Sequence, residues 1–279
     1  MLETARLIGI DAGATRAKLA ARDPHGHLAF EAFAARDVDA VAQRVARLRP
    51  ARVGLTGGGA ALLRERIGSE AAGINEFAAW GAGARRLLSR ERHEAPGRFM
   101  VVSLGTGTSV MLVDGLSTQR IGGTALGGGT VMGLGRLLCA VEGFDELCRL
   151  AERGDTRKVD LMVSDIYRPG ESPLTGDITA ANFGRLASGD VRRASAEHLA
   201  AGVMNLVAEN VALVCGYLAA AAQVRELVFG GSTLCGNPTL VETLSSVTRA
   251  IGCEATVLEA GEFAGALGAL ELVDTPAAA

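Results

Sequence analysis

The chain has 279 residues, a formal net charge of −3 at pH 7, 48% apolar residues and 37 glycines. This length allows two lobes, at about 100 to 200 residues per domain, and the apolar fraction allows buried cores rather than disorder. No basic block or stripe of Lys and Arg interleaved with aromatic residues occurs, which argues against nucleic acid and anionic membrane as partners.

The cysteines and the N-terminal segment indicate the cellular compartment in which the protein is expected. The cysteine count is odd and no C-x-x-C pair occurs, which predicts reduced core thiols and argues against zinc or an iron–sulfur cluster. The N-terminus carries Glu3 and shows no charged region followed by a cleavable apolar stretch, so we expect no signal peptide and a cytoplasmic protein.

The first predicted element is a β-hairpin, LIGIDAGATRAKLA, in which a small-residue turn separates two apolar runs. Asp11 ends the first strand, Gly13 and Thr15 occupy the turn, and Lys18 follows on the return strand. A carboxylate, small donors and a cation are the groups that a magnesium triphosphate needs. An ordinary hairpin with a solvated Asp and Lys is the alternative interpretation of this loop alone.

The next elements continue an α/β pattern up to a charged stretch. A third strand follows the turn at 23–28, and residues 37–48 have helical spacing. Residues 51–60 form a strand running into a Gly-rich turn, which we expect to face a cleft shared by the two lobes. A helix begins near Glu76. The charged stretch at 89–98 divides a phosphate-binding lobe (1–95) from a nucleotide, substrate and dimerisation lobe (96–279).

The second lobe opens with a second hairpin, FMVVSLGTGTSVMLVDG, at 99–115. The segment at 120–138 is the densest in glycine and reads as a loop that brings phosphate or ribose to a helix N-terminus, or alternatively as a turn used only for backbone packing. A short polar segment at 176–184 has a capping residue before a brief helix. The long Ala-rich segment at 195–222 is predicted to be a buried helix or an oligomer interface rather than a membrane span, because polar residues interrupt it.

These motifs, in this order, resemble the type II pantothenate kinases of the actin, sugar kinase and heat-shock ATPase superfamily. The resemblance rests on INEFAAWGAG, VSLGTGTSV, QRIGGTALGGGTVMGLGRLL, DLMVSDIY, GDITAANFG and GEFAGALGAL, and runs from about Ile8 to Leu272. It implies a two-lobed actin-like (ribonuclease H-like) α/β fold, with mixed sheets flanked by helices and a central nucleotide cleft. It also implies transfer of the ATP γ-phosphate to the primary hydroxyl of pantothenate, the first step of coenzyme A synthesis.

The same resemblance implies roles for particular residues. Glu76 matches the catalytic carboxylate, and we expect a partly apolar setting to suit it for base work. Arg120 matches the substrate arginine, for the pantothenate carboxylate or for transition-state charge. Asp11 would orient Mg²⁺ directly or through water. The implied ATP-binding residues are Asp11, Gly13, Ala14, Thr15, Arg16, Lys18, Thr106, Gly128, Gly129, Thr130, Val131, Met132, Phe144 and Ser232.

Thr106, Tyr167 and Asn182 are further predicted substrate contacts. Two positions depart from the family pattern: Ala14 stands where a second glycine is common, and Phe144 where a related enzyme uses Tyr. Neither departure removes a charged catalytic group, so we expect an active kinase that works as a homodimer through the helix at 195–222. CoA or an acyl-CoA is a possible inhibitor.

Three rival functions share this fold. A kinase for an amino sugar such as N-acetylglucosamine would generally use an Asp base in a different polar loop, and many such kinases carry Cys/His zinc clusters. An ATPase activator of a radical dehydratase would need bridging cysteines for an iron–sulfur cluster. A module that senses ATP or acyl-CoA without turnover is the third alternative.

Overall fold

The computed structural model describes residues 4–68, 70–171, 176–187 and 194–274. Two five-stranded mixed sheets with flanking helices form its framework. In each sheet three consecutive strands form an antiparallel meander, and two later strands extend the sheet in parallel beyond the first strand of the meander. The repeated pattern agrees with the predicted two-lobed α/β architecture.

The first sheet is built around its most buried strand, which is covered on both faces. Its strands are β1 (Leu7–Ala12), β2 (Arg16–Arg22), β3 (Leu28–Ala34), β4 (Arg52–Thr56) and β5 (Ala72–Gly73), in the order β3-β2-β1-β4-β5. Its helices are α1 (Val38–Leu48), α2 (Ala60–Ile67) and α3 (Glu76–Arg92). The predicted helical spacing is confirmed in α1, because Val41, Val45 and Leu48 are its buried residues.

The second sheet repeats this order as β12-β11-β6-β7-β8. Its strands are β6 (Arg98–Leu104), β7 (Thr108–Asp114), β8 (Ser117–Thr124), β11 (Glu226–Gly230) and β12 (Glu254–Val257). A small antiparallel pair consists of β9 (Leu161–Met162) and β10 (Thr179–Ala181). The helices are α4 (Gly128–Cys139), α5 (Phe144–Ala151), α6 (Val163–Ile166), α7 (Ala196–Ala222), α8 (Pro238–Ala250) and α9 (Ala264–Asp274).

Three boundaries differ from the sequence predictions. Residues 117–124, expected to lead into a Gly-rich loop, form β8, because β7 offers its free edge and pairs with them along its whole length. Residues 179–181 form β10 rather than the start of a helix, since they pair with β9. The charged stretch at 89–98 begins inside α3, which continues to Arg92.

The long helix α7 packs into the core of the second lobe. Val203, Val207 and Val211 are fully buried there, whereas Tyr217 on the outer side is 74% exposed. By length and composition α7 could cross a bilayer, but 56% of its most apolar window is buried against the rest of the chain. This packing supports the buried-helix interpretation of the segment.

The helix α9 comes last in the chain but packs beneath the first sheet. It lies so close that a Cβ on Gly9 of β1 would come within 2.0 Å of the Ala266 carbonyl oxygen, and one on Gly268 within 1.7 Å of that of Ala79 in α3. Leu267 of α9 shares one core cluster with residues of both sheets. The proposed division between residues 95 and 96 falls between α3 and β6, and α9 then crosses back to the first lobe.

Candidate active site

A cleft of about 1100 Å³ opens where the two hairpin loops approach each other. The hairpin loops, the turn at 57–59 and the first turns of α3 and α4 line this cleft. It brings together most of the residues predicted from the sequence: Asp11, Gly13, Ala14, Thr15, Arg16, Lys18, Glu76, Thr106, Arg120, Gly128, Gly129, Met132, Phe144 and Ser232.

The first hairpin places a cation beside its own turn. Asp11 and Lys18 face each other in the register of β1 and β2, and the Gly13 N–H donates to the Arg16 carbonyl at 3.1 Å to close the turn. The Lys18 Nζ lies 3.7 Å from where a Cβ on Gly13 would stand. Lys18 is only 8% exposed. Its ammonium is therefore held at the loop rather than in bulk solvent.

Asp11 is a buried carboxylate on the cleft wall, 5% exposed. It fits only because two neighbours lack side chains: a Cβ on Gly57 would meet Oδ1 at 2.7 Å, and one on Gly265 would meet Oδ2 at 2.6 Å. Burial raises the pKa of Asp11 to about 6, Lys18 opposes this shift, and Glu76 adds to it. Asp11 therefore changes its charge close to neutral pH.

Glu76 is the first residue of α3. The Asn75 side chain caps the helix, because its Oδ1 accepts hydrogen bonds from the N–H groups of Phe77 and Ala78, each at 3.0 Å. Glu76 is exposed at the cleft, so the partly apolar setting expected for it is not found. Its carboxylate interacts with that of Asp11. The cap thus fixes the start of α3, which places a solvent-accessible carboxylate on the cleft wall.

The second hairpin loop is bound to the start of α4. The N–H groups of Gly128 and Gly129 donate to the carbonyls of Gly105 and Thr106 at 2.8 and 2.9 Å. These two donors are therefore used inside the protein, so Gly128 and Gly129 line the cleft with these N–H groups already bonded. At the mouth of the cleft the hydroxyls of Thr106 and Thr15 hydrogen-bond at 3.3 Å.

Two predicted nucleotide residues of α4 do not line the cleft. Val131 is fully buried in the core of the second lobe, and the Thr130 hydroxyl donates to the Ala125 carbonyl at 3.2 Å. Their neighbours Gly129 and Met132 do face the cleft. Successive residues of a helix point about 100° apart, so a run of five consecutive residues cannot all face one ligand.

Arg120 lies on β8 and is exposed to the cleft. Within the described residues its guanidinium makes no hydrogen bond or ion pair, and Nη2 lies 2.8 Å from where a Cβ on Gly123 would stand. A planar cation left open on a cleft wall can bind a carboxylate or a phosphoryl group through two parallel hydrogen bonds.

Tyr167 and Asn182, predicted to contact substrate, do not line the cleft of this chain. Tyr167 is exposed just beyond α6. The Asn182 amide is engaged with α7, since its Nδ2 donates to Glu209 at 3.0 Å and its Oδ1 accepts from Asn210 at 3.2 Å. Asn182 therefore anchors the segment around β10 to α7.

The cleft also contains residues that the sequence did not single out, besides the expected turn at 57–59. They include Trp80, Ser103, Thr124, Arg136 and Thr233. Trp80 lies four residues after Glu76, and this helical spacing was the available signal. The others sit on strands, on turns or, for Arg136, late in α4, where nothing in the sequence marks the side that faces a ligand.

Comparison with known proteins identifies the family. The family model described as Fumble matches residues 10–271. The type II pantothenate kinase of Staphylococcus aureus (strain USA300) is 32% identical over 265 residues, which cover 95% of this chain and 98% of that protein. This chain belongs to the Fumble family of type II pantothenate kinases. The resemblance seen in its motifs is thereby confirmed.

Solved structures similar to this Fumble-family chain confirm the actin-like fold. The Acidaminococcus fermentans (R)-2-hydroxyglutaryl-CoA dehydratase component A gives a TM-score of 0.65 at 19% identity, covering 96% of both chains. A ROK family glucokinase from Streptomyces griseus, in complex with glucose and AMPPNP, gives 0.57 at 14% identity, covering 96% of this chain and 98% of that one. At these identities the likeness shows the fold alone.

Proposed function

We propose that this chain transfers the γ-phosphate of ATP to the primary hydroxyl of pantothenate and so forms 4'-phosphopantothenate, the first step of coenzyme A biosynthesis. One observation carries the proposal: in a chain 32% identical to a type II pantothenate kinase, Glu76 and Arg120 line the same cleft as the two hairpin loops.

Phosphoryl transfer depends mainly on positioning and on neutralising charge at the transferred group. Lys18 lies beside the first loop and suits the β- and γ-phosphates as a point charge. Glu76 is the base that accepts the hydroxyl proton, and its exposure leaves room for the acceptor. Arg120 binds the pantothenate carboxylate or stabilises the charge that develops on the transferred phosphoryl group.

Mg²⁺ with ATP is part of the proposal, and Asp11 is the residue that fits it. Asp11 accepts no hydrogen bond from any described residue, although its carboxylate is buried beside Lys18. Mg²⁺ is commonly bound through one or two carboxylates together with phosphate oxygens and water. Asp11 would hold the ion directly or through water, and the ion would neutralise phosphate charge.

The test is the release of ADP by purified protein with magnesium ATP and pantothenate, N-acetylglucosamine or no acceptor. We expect ADP only with pantothenate. Glu76→Gln should lower kcat by about 100- to 10,000-fold with ATP affinity unchanged, because it removes the base but keeps the shape. Glu65→Gln, on the exposed side of α2, is the matched control and should be fully active.

Each other outcome selects a different function. Equal ADP with and without pantothenate would reject the kinase, and ADP with N-acetylglucosamine alone would favour the sugar kinase. ATP binding without ADP from any acceptor would favour a sensing module. Full activity of Glu76→Gln would mean that Glu76 only complements the helix dipole.

The proposed homodimer pairs through the outer face of α7. Tyr217, 74% exposed, and the half-buried Leu213 lie on this face, whereas Val211 is fully buried in the chain's own core. Tyr217→Glu should therefore lower the mass measured by light scattering, with Leu116→Glu at a fully exposed turn as the control. A monomeric mass for the unsubstituted protein would reject the dimer.

Two further parts of the proposal concern regulation and location. CoA or an acyl-CoA is proposed as an inhibitor, and adding CoA to the ADP assay should then lower the rate. The cytoplasm is the proposed location, and the five free cysteines support a reducing compartment.

A further inference from the structure

Trp80 is the only tryptophan of the chain and forms part of the cleft wall. It lies one helical turn after Glu76 on the same face of α3, and it is 4% exposed. Its ring packs in the core cluster with Leu87, Ala264 and Leu267. The side chain therefore fills the core with its apolar surface, while part of it still borders the cleft.

The polar edge of the indole lies beside Asp11. A Cβ on Gly265 would stand 3.1 Å from the Trp80 Nε1 and 2.6 Å from the Asp11 Oδ2. The indole nitrogen and the carboxylate oxygen therefore both lie next to Gly265. The two groups do not bond to each other, and within the described residues the Trp80 N–H donates to no acceptor. The N–H is not sealed inside the protein, because Trp80 lines the cleft, so its acceptor must come from what occupies the cleft.

A ligand in the cleft can supply that partner. Helical side chains lean towards the N-terminus of their helix, so the Trp80 ring leans towards the turn that carries Glu76. Glu76 and Trp80 thus present an acceptor and a donor to one region, and Asp11 borders the same region. A hydroxyl group satisfies both, because it donates its hydrogen to the carboxylate and accepts from the N–H.

We propose that the indole N–H of Trp80 hydrogen-bonds the primary hydroxyl oxygen of pantothenate and holds it while Glu76 accepts its proton. This inference rests on the proposed function. The indole carries no charge and keeps its proton, so it orients the oxygen without competing for the proton that Glu76 takes. Trp80 is then a substrate-contacting residue that the family resemblance did not supply.

The experiment removes the N–H and keeps the packing. Trp80→Phe retains an aromatic ring, and replacement of this single tryptophan by benzothienylalanine keeps the full shape with sulfur in place of N–H. In both proteins KM for pantothenate should rise about 3- to 10-fold, the effect of one neutral hydrogen bond, with KM for ATP and kcat unchanged. The dissociation constant for pantothenate alone, measured by calorimetry, should rise by the same factor.

The outcomes separate this inference from its alternatives. An unchanged KM for pantothenate in the benzothienylalanine protein would overturn it, even if Trp80→Phe fails to fold. A rise in KM for ATP or a fall in kcat alone would overturn it too, by placing the contact on the transferred group. Absence of pantothenate-dependent ADP from the unsubstituted protein would instead mean that the proposed function fails.

Discussion

Replacing Gly268 by alanine tests whether the close approach of α9 and α3 holds the first lobe together. The new Cβ would stand 1.7 Å from the Ala79 carbonyl oxygen and 2.8 Å from the Gly83 nitrogen. Because real Cβ atoms essentially never lie within 3.0 Å of such an atom, the two helices must part by about 1.3 Å or more.

The expected loss of stability follows from this displacement. Overpacking a core costs about 1 to 3 kcal/mol and sometimes more, and this contact between rigid backbones belongs at the upper end. The better helix propensity of alanine returns at most about 1 kcal/mol. A net loss of about 2 to 3 kcal/mol should lower the unfolding temperature by roughly 4 to 12 °C.

The assay is thermal unfolding followed by circular dichroism. Gly133→Ala is the matched control, since Gly133 lies in α4 with no atom within 4 Å of its new Cβ, and it should unfold at the same or a slightly higher temperature. Equal unfolding temperatures for Gly268→Ala and the unsubstituted protein would refute the close-packing argument.

Four further predictions concern the cleft and the helix α4 beside it. The pKa of Asp11 is raised to about 6, and in the proposed function its ionised form holds the Mg²⁺ of ATP. We therefore expect kcat/KM for ATP to fall about tenfold per pH unit below pH 6, and a flat profile from pH 5 to 7 would contradict this. Because the pKa of Asp11 is higher in the folded than in the unfolded chain, ionising this carboxyl lowers the stability of the fold as the pH rises from about 4 to 6. Asp11→Asn should therefore raise the unfolding temperature at pH 7.5, yet abolish most activity. Val131→Ala should destabilise the fold by about 2 kcal/mol and leave KM for ATP unchanged, whereas Met132→Ala should raise KM for ATP at nearly constant stability. The reverse pattern in unfolding and kinetic assays would contradict the conclusion that Val131 faces the core and Met132 the cleft. Arg120→Lys should lower kcat/KM for pantothenate at least about tenfold because a single ammonium cannot bind a planar anion bidentately, and full activity in the steady-state assay would exclude such a contact.

The sequence predicts most of this fold because its local signals agree with its packing. The two hairpins, the helix that begins at Glu76 and the helix at 195–222 all appear where the patterns place them. The strand β8 was missed because its paired glycines and polar side chains resemble a loop. Only the free edge of β7, a long-range feature, makes it a strand.

The site is less predictable, because the direction in which each side chain points depends on three-dimensional geometry that a sequence motif does not contain. The Gly-rich segment identified the start of α4 correctly, but the helical turn sends Val131 into the core. Asn182 lies in a specific motif, yet its amide is used by α7. Trp80 is an apolar residue of the kind expected in a core. Only its N–H, which has no hydrogen-bond acceptor among the described residues, distinguishes it from an ordinary core residue.

The position of α9 has a consequence for the order in which the protein can fold during synthesis. The ribosome completes the first sheet long before residues 264–274 emerge, and until then the glycine-lined underside at Gly9 and Gly54 has no helix to cover it. Domains generally fold as units from the N-terminal end, but this lobe is discontinuous in the chain. Its folding must therefore wait for the second lobe to be synthesised, and an arrested nascent chain lacking α9 would expose the underside of the first sheet to proteases and chaperones.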